Sequence, residues 1–270
     1  MAEIDMEALE EAYDRALAHE KAGRLDEAAT AWREVIAIDP DDCGGAAVRL
    51  AALGRGETPA KAPDAYVATL FDQHADAFES ILVDQLGYRV PEMLRDAVDA
   101  LEAGPFGRML DLGCGSGLTG EAFADLAGHI SGLDLSQNMV EIAGESGTYA
   151  ELYVGEAVRF LREWDGARWD IVTATDVLPY MGALEAFLAL AASRLNGGGL
   201  FGFSSETLPA AVMAGRDYAV GPGHRFAHAQ DYVTGLLAAN GLAVVHLTPI
   251  TVRHEEGAPV PGHLVIARKI

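Results

Sequence analysis

The sequence predicts an α/β protein: a seven-stranded, mostly parallel sheet covered by helices on both faces, its last strand antiparallel, with an all-α region in front. Three observations lead there. Beyond residue 105, short apolar stretches at 108–112, 129–134, 150–154, 169–173 and 199–204 alternate with helical patterns at 118–127, 137–144, 157–163 and 184–195. Such alternation builds a parallel sheet. After a further helix over 230–240, strands at 242–247 and 263–268 follow without a helix between them, so they pair antiparallel. Residues 1–53 carry only helical periodicity.

Composition limits the function. The chain has 270 residues, half of them hydrophobic and 22% charged, enough for one large domain with an appendage. Nineteen Lys and Arg against 41 Asp and Glu leave a formal charge of -22. A surface this acidic repels phosphate backbones, so nucleic acid is not an expected partner. No run of about 18 apolar residues is present to span a membrane. The start, Met1-Ala-Glu-Ile-Asp-Met-Glu, is acidic and helical in pattern, the reverse of a signal peptide, and the expected location is cytoplasmic. Cys43 and Cys114 lie far apart, which predicts neither a disulfide framework nor a cysteine metal site.

Taken in order, helices over 6–19 and 25–38 are broken at Ala22-Gly23-Arg24 and stopped by Asp39-Pro40, giving an antiparallel pair. With Gly23 in the turn, Ala28 and Trp32 on the second helix and Pro40 at the close, the pair resembles one tetratricopeptide (TPR) repeat. The first helix lacks the large aromatic of that pattern near its start, and 44–53 reads as a degenerate third helix. A solenoid needs about three repeats, so a single one packs on the rest of the chain or on a second copy. Gly and Pro mark 54–63 as a linker, and 64–270 as the main domain, with covering helices at 64–80 and 89–102 ahead of a core over 105–270.

The strongest signal is Met109-Leu-Asp-Leu-Gly-Cys-Gly-Ser-Gly117. A short apolar strand ends in Asp111, and glycines at 113, 115 and 117 let the backbone turn sharply and approach a ligand. Asp134 ends the next strand, where an acid can accept hydrogen bonds from ribose hydroxyls. Together these describe a nucleoside cofactor site. The dinucleotide pattern G-x-G-x-x-G fails because its third glycine position is Leu118, and the phosphate loop G-x-x-x-x-G-K-[ST] fails because no Lys follows.

The pattern that remains, D-x-G-x-G-x-G, resembles motif I of the class I S-adenosylmethionine-dependent methyltransferases. The likeness continues through Leu133-Asp-Leu-Ser-Gln-Asn-Met-Val-Glu-Ile-Ala143, Val154-Gly-Glu-Ala157, Asp170–Asp176 and the covering segment Leu70–Phe78, which is similar to an F-D-x-x-A-x-x-[FY] helix. With its N-terminal pair, the whole chain resembles bacterial predicted methyltransferases bearing a TPR repeat. The resemblance implies a Rossmann-like seven-stranded sheet and S-adenosyl-L-methionine as cofactor, left as S-adenosyl-L-homocysteine. It implies that Gly113, Cys114, Gly115 and Gly117 form the loop, Asp134 and Leu135 meet the ribose, and Met139, Glu156 and Ala157 lie at the adenine. Asp111 either orients the loop or touches the ligand, and Asp176, ending the fourth strand, either enters the site or caps its turn.

Candidate catalytic groups are fewer. Asp176-Val-Leu-Pro-Tyr180 is similar to the D-P-P-Y segment of base-modifying amino methyltransferases but lacks its second residue, so Tyr180 reads as a wall of the site. His224 and His228, in Gly221–Ala229, are candidates for substrate binding or for a general base. No carboxylate nearby completes a metal set with them. Arg216, Tyr218 and Arg225 would suit an anionic substrate group, or else form surface ion pairs. His74 faces either the site or solvent. The expected activity is methyl transfer to a small-molecule acceptor. Its rivals are a protein methyltransferase recruited through the TPR-like helices, which would also explain a protein partner or self-association, and a non-catalytic cofactor-binding scaffold.

Overall fold

The computed structural model describes residues 4–74 and 78–270. Residues 1–3 of the acidic start and 75–77 of the covering segment, together with the His74 side chain, lie outside the described part.

Helix α1 (Met6–Lys21) begins where the Asp5 side chain accepts from Ala8 N, satisfying one of the free N–H groups of the first turn. It packs on α2 (Leu25–Ile38) through Ala12, Ala16, Ala28 and Ala29, small residues that let the helices approach, with Trp32 fully buried and Tyr13 edge-on to it at 5.0 Å. Asp42 caps α3 (Ala46–Ala52), accepting from Ala46 N and Ala47 N. One face of α3 joins this core through Ala46 and Leu50. The other sends Val48 into a separate cluster with Ala62, Val67, Val220 and Phe226. The helical region is thereby docked on the main domain.

The segment expected as a linker is stitched down. Ala62 N donates to Tyr180 O at 2.9 Å, and Gly182 N and Ala183 N both donate to Ala60 O. Helix α4 (Asp64–His74), a π-helical turn at Ser80–Gln85 and α5 (Val90–Ala100) follow.

The core alternates β1 (Met109–Leu112), α6 (Leu118–Phe123), β2 (Ile130–Asp134), α7 (Gln137–Glu145), β3 (Glu151–Val154), α8 (Ala157–Glu163), β4 (Trp169–Ala174), α9 (Glu185–Arg194) and β5 (Leu195–Glu206). Then come α10 (Ala210–Met213), a hairpin of β6 (Tyr218–Val220) and β7 (Phe226–His228), α11 (Gln230–Ala239), β8 (Leu242–Glu255) and β9 (Ala258–Lys269). The hairpin was not foreseen, and β8 and β9 extend far beyond the expected 242–247 and 263–268. Both pair along their lengths up to the turn at Glu256-Gly257.

The main sheet runs β3-β2-β1-β4-β5-β9-β8, with β9 antiparallel to both neighbours. Alternation sorts its side chains. Leu110 and Leu112 meet Phe187, Leu188 and Leu237 on one face, while Met109 meets Leu94, Val98 and Phe123 on the other. Strand order reverses between β1 and β4, so the carboxyl ends of the strands open a crevice there. No helix among the described residues is long and apolar enough to cross a membrane.

Candidate active site

The crevice is shaped by the loop after β1. Gly113 sits at φ 65° against Val177, where a Cβ would collide, so only glycine fits. Cys114 N donates to Leu133 O at 2.9 Å, tying the loop to the end of β2. Asp134 then locks it, one carboxylate oxygen accepting from Gly115 N and the other from Ser136 N, both at 2.9 Å. Burial pushes the Asp134 pKa upward, while those N–H groups pull it back.

A cavity runs along this loop. It brings together Gly113, Cys114, Gly115, Asp134 and Leu135 at the ends of β1 and β2, then Glu156 and Ala157 after β3, then Asp176 and Tyr180 after β4. Val67, Phe71 and Phe78 roof it with apolar surface. Burial raises the Cys114 thiol far out of the reactive range, which leaves it a small wall residue. Glu156 spends its carboxylate on the start of α8, accepting from Val158 N and Arg159 N. Lys61 lies 3.8 Å from Glu156 and bonds Asp64 at 2.7 Å, a cavity-lining cation that nothing in the linker composition announced. Ser116 Oγ lines the same cavity, is buried, and has no partner among the described residues. A loop closed to a Cβ at Gly113, an acid at the end of β2 and an unspent hydroxyl suit a nucleoside ligand with hydroxyl groups.

Several expected residues stand elsewhere. Asp111 does not reach the cavity. It is fully buried beneath the loop, accepting from Tyr149 Oη at 2.7 Å and Thr173 Oγ1 at 2.8 Å, and burial pushes its pKa up to about 7. That geometry corrects ligand contact in favour of holding the loop's base. Gly117, at φ 110°, starts α6 outside the cavity wall. Met139 is fully buried in α7 and does not line the cavity either, because its backbone is pinned to the Ser136 cap.

Neither candidate histidine reaches the cavities. His228, on buried β7, donates from Nε2 to Met181 O at 2.8 Å, and burial lowers its pKa to about 4. His224 Nε2 faces Glu20 of α1 at 3.5 Å, and burial and then Arg49 lower its pKa. Arg216 bonds the carbonyls of Met213 and Val212, and Tyr218 packs beside Phe226, so neither offers itself to an anion.

A second cavity adjoins the first, sharing Phe71, Phe78, Leu82, Asp176 and Tyr180 with it. Its far wall is an ion-pair network that sequence spacing could not reveal, since it joins β4, β5, β8 and the β6–β7 turn. Arg253 donates from Nη1 to both oxygens of Asp176, at 3.0 and 2.8 Å, from Nε to Glu255 at 2.8 Å, and from Nη2 to Glu206. Arg225 donates from Nε to Glu206 at 2.9 Å and from Nη2 to Glu255. Asp176, at φ 58°, is therefore a wall of the site, its backbone N–H held by Ser204 Oγ.

A sheet of this order, with a glycine loop at its reversal point and an acid ending β2, is a Rossmann-like α/β fold with its crevice built for a nucleoside ligand. Residues 110–201 match the family profile described as a methyltransferase domain. Among curated proteins, the chain is 28% identical over 156 residues to a ubiquinone biosynthesis O-methyltransferase of Methylobacterium nodulans, covering 53% of this chain and 62% of that protein. It is 33% identical over 107 residues to the protein of the same name from Idiomarina loihiensis, covering 38% and 44%. The chain thus spans about half of the curated relatives it matches. Among solved structures, the N-methyltransferase NodS from Bradyrhizobium japonicum with bound S-adenosyl-L-homocysteine shares the fold at a TM-score of 0.57 and 14% identity, over 75% of this chain and 98% of that one. An S-adenosylmethionine-dependent methyltransferase from Clostridium acetobutylicum does so at 0.55 and 13%, over 74% and 99%.

Proposed function

We propose that this protein transfers a methyl group from S-adenosylmethionine to a small-molecule nucleophile. The observation that carries the reading is the Asp134–Gly115 lock on a cavity that shares Phe71, Phe78, Leu82, Asp176 and Tyr180 with a second one. Asp134 holds the ribose hydroxyls, the Gly113–Ser116 backbone and Ser116 Oγ cradle the rest of the nucleoside, and Ala157 with Glu156 border the base. When bound, the cofactor supplies a methyl group already activated on a sulfonium. The chain's work is alignment and exclusion of water, for which Phe71, Phe78 and Leu82 roof the junction of the two cavities.

A small acceptor is supported by the limited second cavity and by relatives named for ubiquinone biosynthesis. We read 1–53 as a TPR-like helical region, 54–63 as a connecting strap and 64–270 as the methyltransferase domain. Docking of Val48 against Val220 and Phe226 supports a structural role for the helices over recruitment of a protein.

Purified protein incubated with methyl-labelled S-adenosylmethionine and filtered host extract should place label in the small-molecule fraction, and Asp134→Ala should abolish both transfer and cofactor binding while remaining folded. Label confined to macromolecules would favour a protein substrate. Cofactor binding with no transfer to either fraction would favour a scaffold.

A further inference from the structure

The two arginines beside the second cavity are turned onto carboxylates. All three guanidinium nitrogens of Arg253 donate to carboxylates, and Arg225 is turned onto Glu206 and Glu255. Among the described residues of this wall, three carboxylates face two guanidiniums, leaving one negative charge in excess. Glu206 receives both arginines, whose pull only partly opposes the upward push of its burial, and the arginines keep Glu255 low. The surface left for a ligand is thus rich in carboxylate oxygens, with Arg253 and the Nε and Nη2 of Arg225 already turned onto them. The same cavity is lined by the ring of Phe78 and those of Phe71 and Tyr180, which meet edge to face at 5.4 Å. Aromatic faces and surplus carboxylate both favour a cation.

We infer, resting on the methyltransferase reading above, that the second cavity takes an amine on an apolar body and that this amine nitrogen is the methyl acceptor. Asp176 lines both cavities and so stands where acceptor and donor meet. The bound ammonium first gives a proton to water, and the lone pair of the neutral nitrogen then forms the new N–C bond as the carbon–sulfur bond breaks with its pair left on sulfur. Positive charge moves to the nitrogen, and the product ammonium later releases a proton to water. A wall with surplus carboxylate stabilises charge developing on nitrogen during transfer. The same wall opposes a phenolate or carboxylate acceptor, which must enter as an anion.

The test uses the full chain saturated with S-adenosyl-L-homocysteine and titrated calorimetrically with phenethylamine or with hydrocinnamate. The amine should bind at least about tenfold tighter. Asp176→Asn should remove most of that preference, with Glu255→Gln as the second variant should the first not fold. With methyl-labelled S-adenosylmethionine, label should reach phenethylamine and not phenol. Equal or tighter binding of hydrocinnamate, or no amine binding by protein that holds S-adenosyl-L-homocysteine, overturns the inference alone. Failure to bind S-adenosyl-L-homocysteine overturns the reading beneath it.

Discussion

Glu20 of α1 and His224 of the β6–β7 turn meet with His224 Nε2 3.5 Å from the carboxylate, so the first helix touches the turn that carries Arg225 into the second cavity. Glu20 is also fixed from its own side: the buried Trp32 Nε1 donates to it at 3.0 Å, and Arg49 lies 3.6 Å away. Glu20→Ala strands the Trp32 donor and should cost about 2 kcal/mol in urea unfolding, whereas Glu20→Gln keeps an acceptor there and should cost about half as much. Equal losses in the two variants would mean that the Trp32 bond contributes little.

Removing residues 1–53 uncovers Phe226, Val220 and Val67, which Val48 of α3 now covers. Partial exposure of these side chains should lower stability by about 3 kcal/mol or make the protein aggregate. An unchanged melting temperature for the shortened chain would show the helices to be a detachable appendage.

What the sequence disclosed, and what it hid, follows from the range of the interactions. The glycine loop and Asp134 were legible because the single stretch 109–134 holds a strand, a turn that needs glycine at 113 and the next strand's end. The parallel alternation and the antiparallel finish were legible for the same local reason. Asp111 could read as loop anchor or ligand contact because its spacing is that of a cofactor motif, while its partners, Tyr149 just ahead of β3 and Thr173 in β4, carry no signal of their own. His228, a candidate for substrate binding or for a base, is buried by β7, and of the two readings open to Arg225 the ion pair holds, with Glu206 and Glu255 19 and 30 residues away. Arg253 went unnoticed because it lies beyond the expected end of its strand.

Gly113 offers a sharp test of the loop. An alanine there meets both the left-handed φ of 65° and the Val177 side chain, so the loop must shift. Gly113→Ala should weaken S-adenosyl-L-homocysteine binding more than about tenfold, a loss of at least 1.4 kcal/mol. The control is Gly235→Ala in α11, where nothing lies within 4 Å of the added Cβ. It should leave binding unchanged and raise stability by about 0.5–1 kcal/mol.

Asp111 and His228 should bend the pH dependence of stability in opposite directions. Asp111 is raised from 3.8 to about 7 in the folded protein. Between those values the unfolded chain has lost the proton that the folded chain keeps, so this contribution is full below pH 3.8 and is lost as pH rises through 7. His228 is lowered from 6.5 to about 4, so over that window the unfolded chain binds the extra proton and stability grows with pH. In the native protein the two nearly offset each other in their overlap. Asp111→Asn removes the falling part and exposes the rising one. Urea unfolding should therefore show the variant gaining on the native protein as pH climbs from about 4 to 7, by up to about 1.4 kcal/mol per pH unit. Parallel curves for the two proteins would mean that Asp111 is ionised throughout, with Tyr149 and Thr173 outweighing its burial.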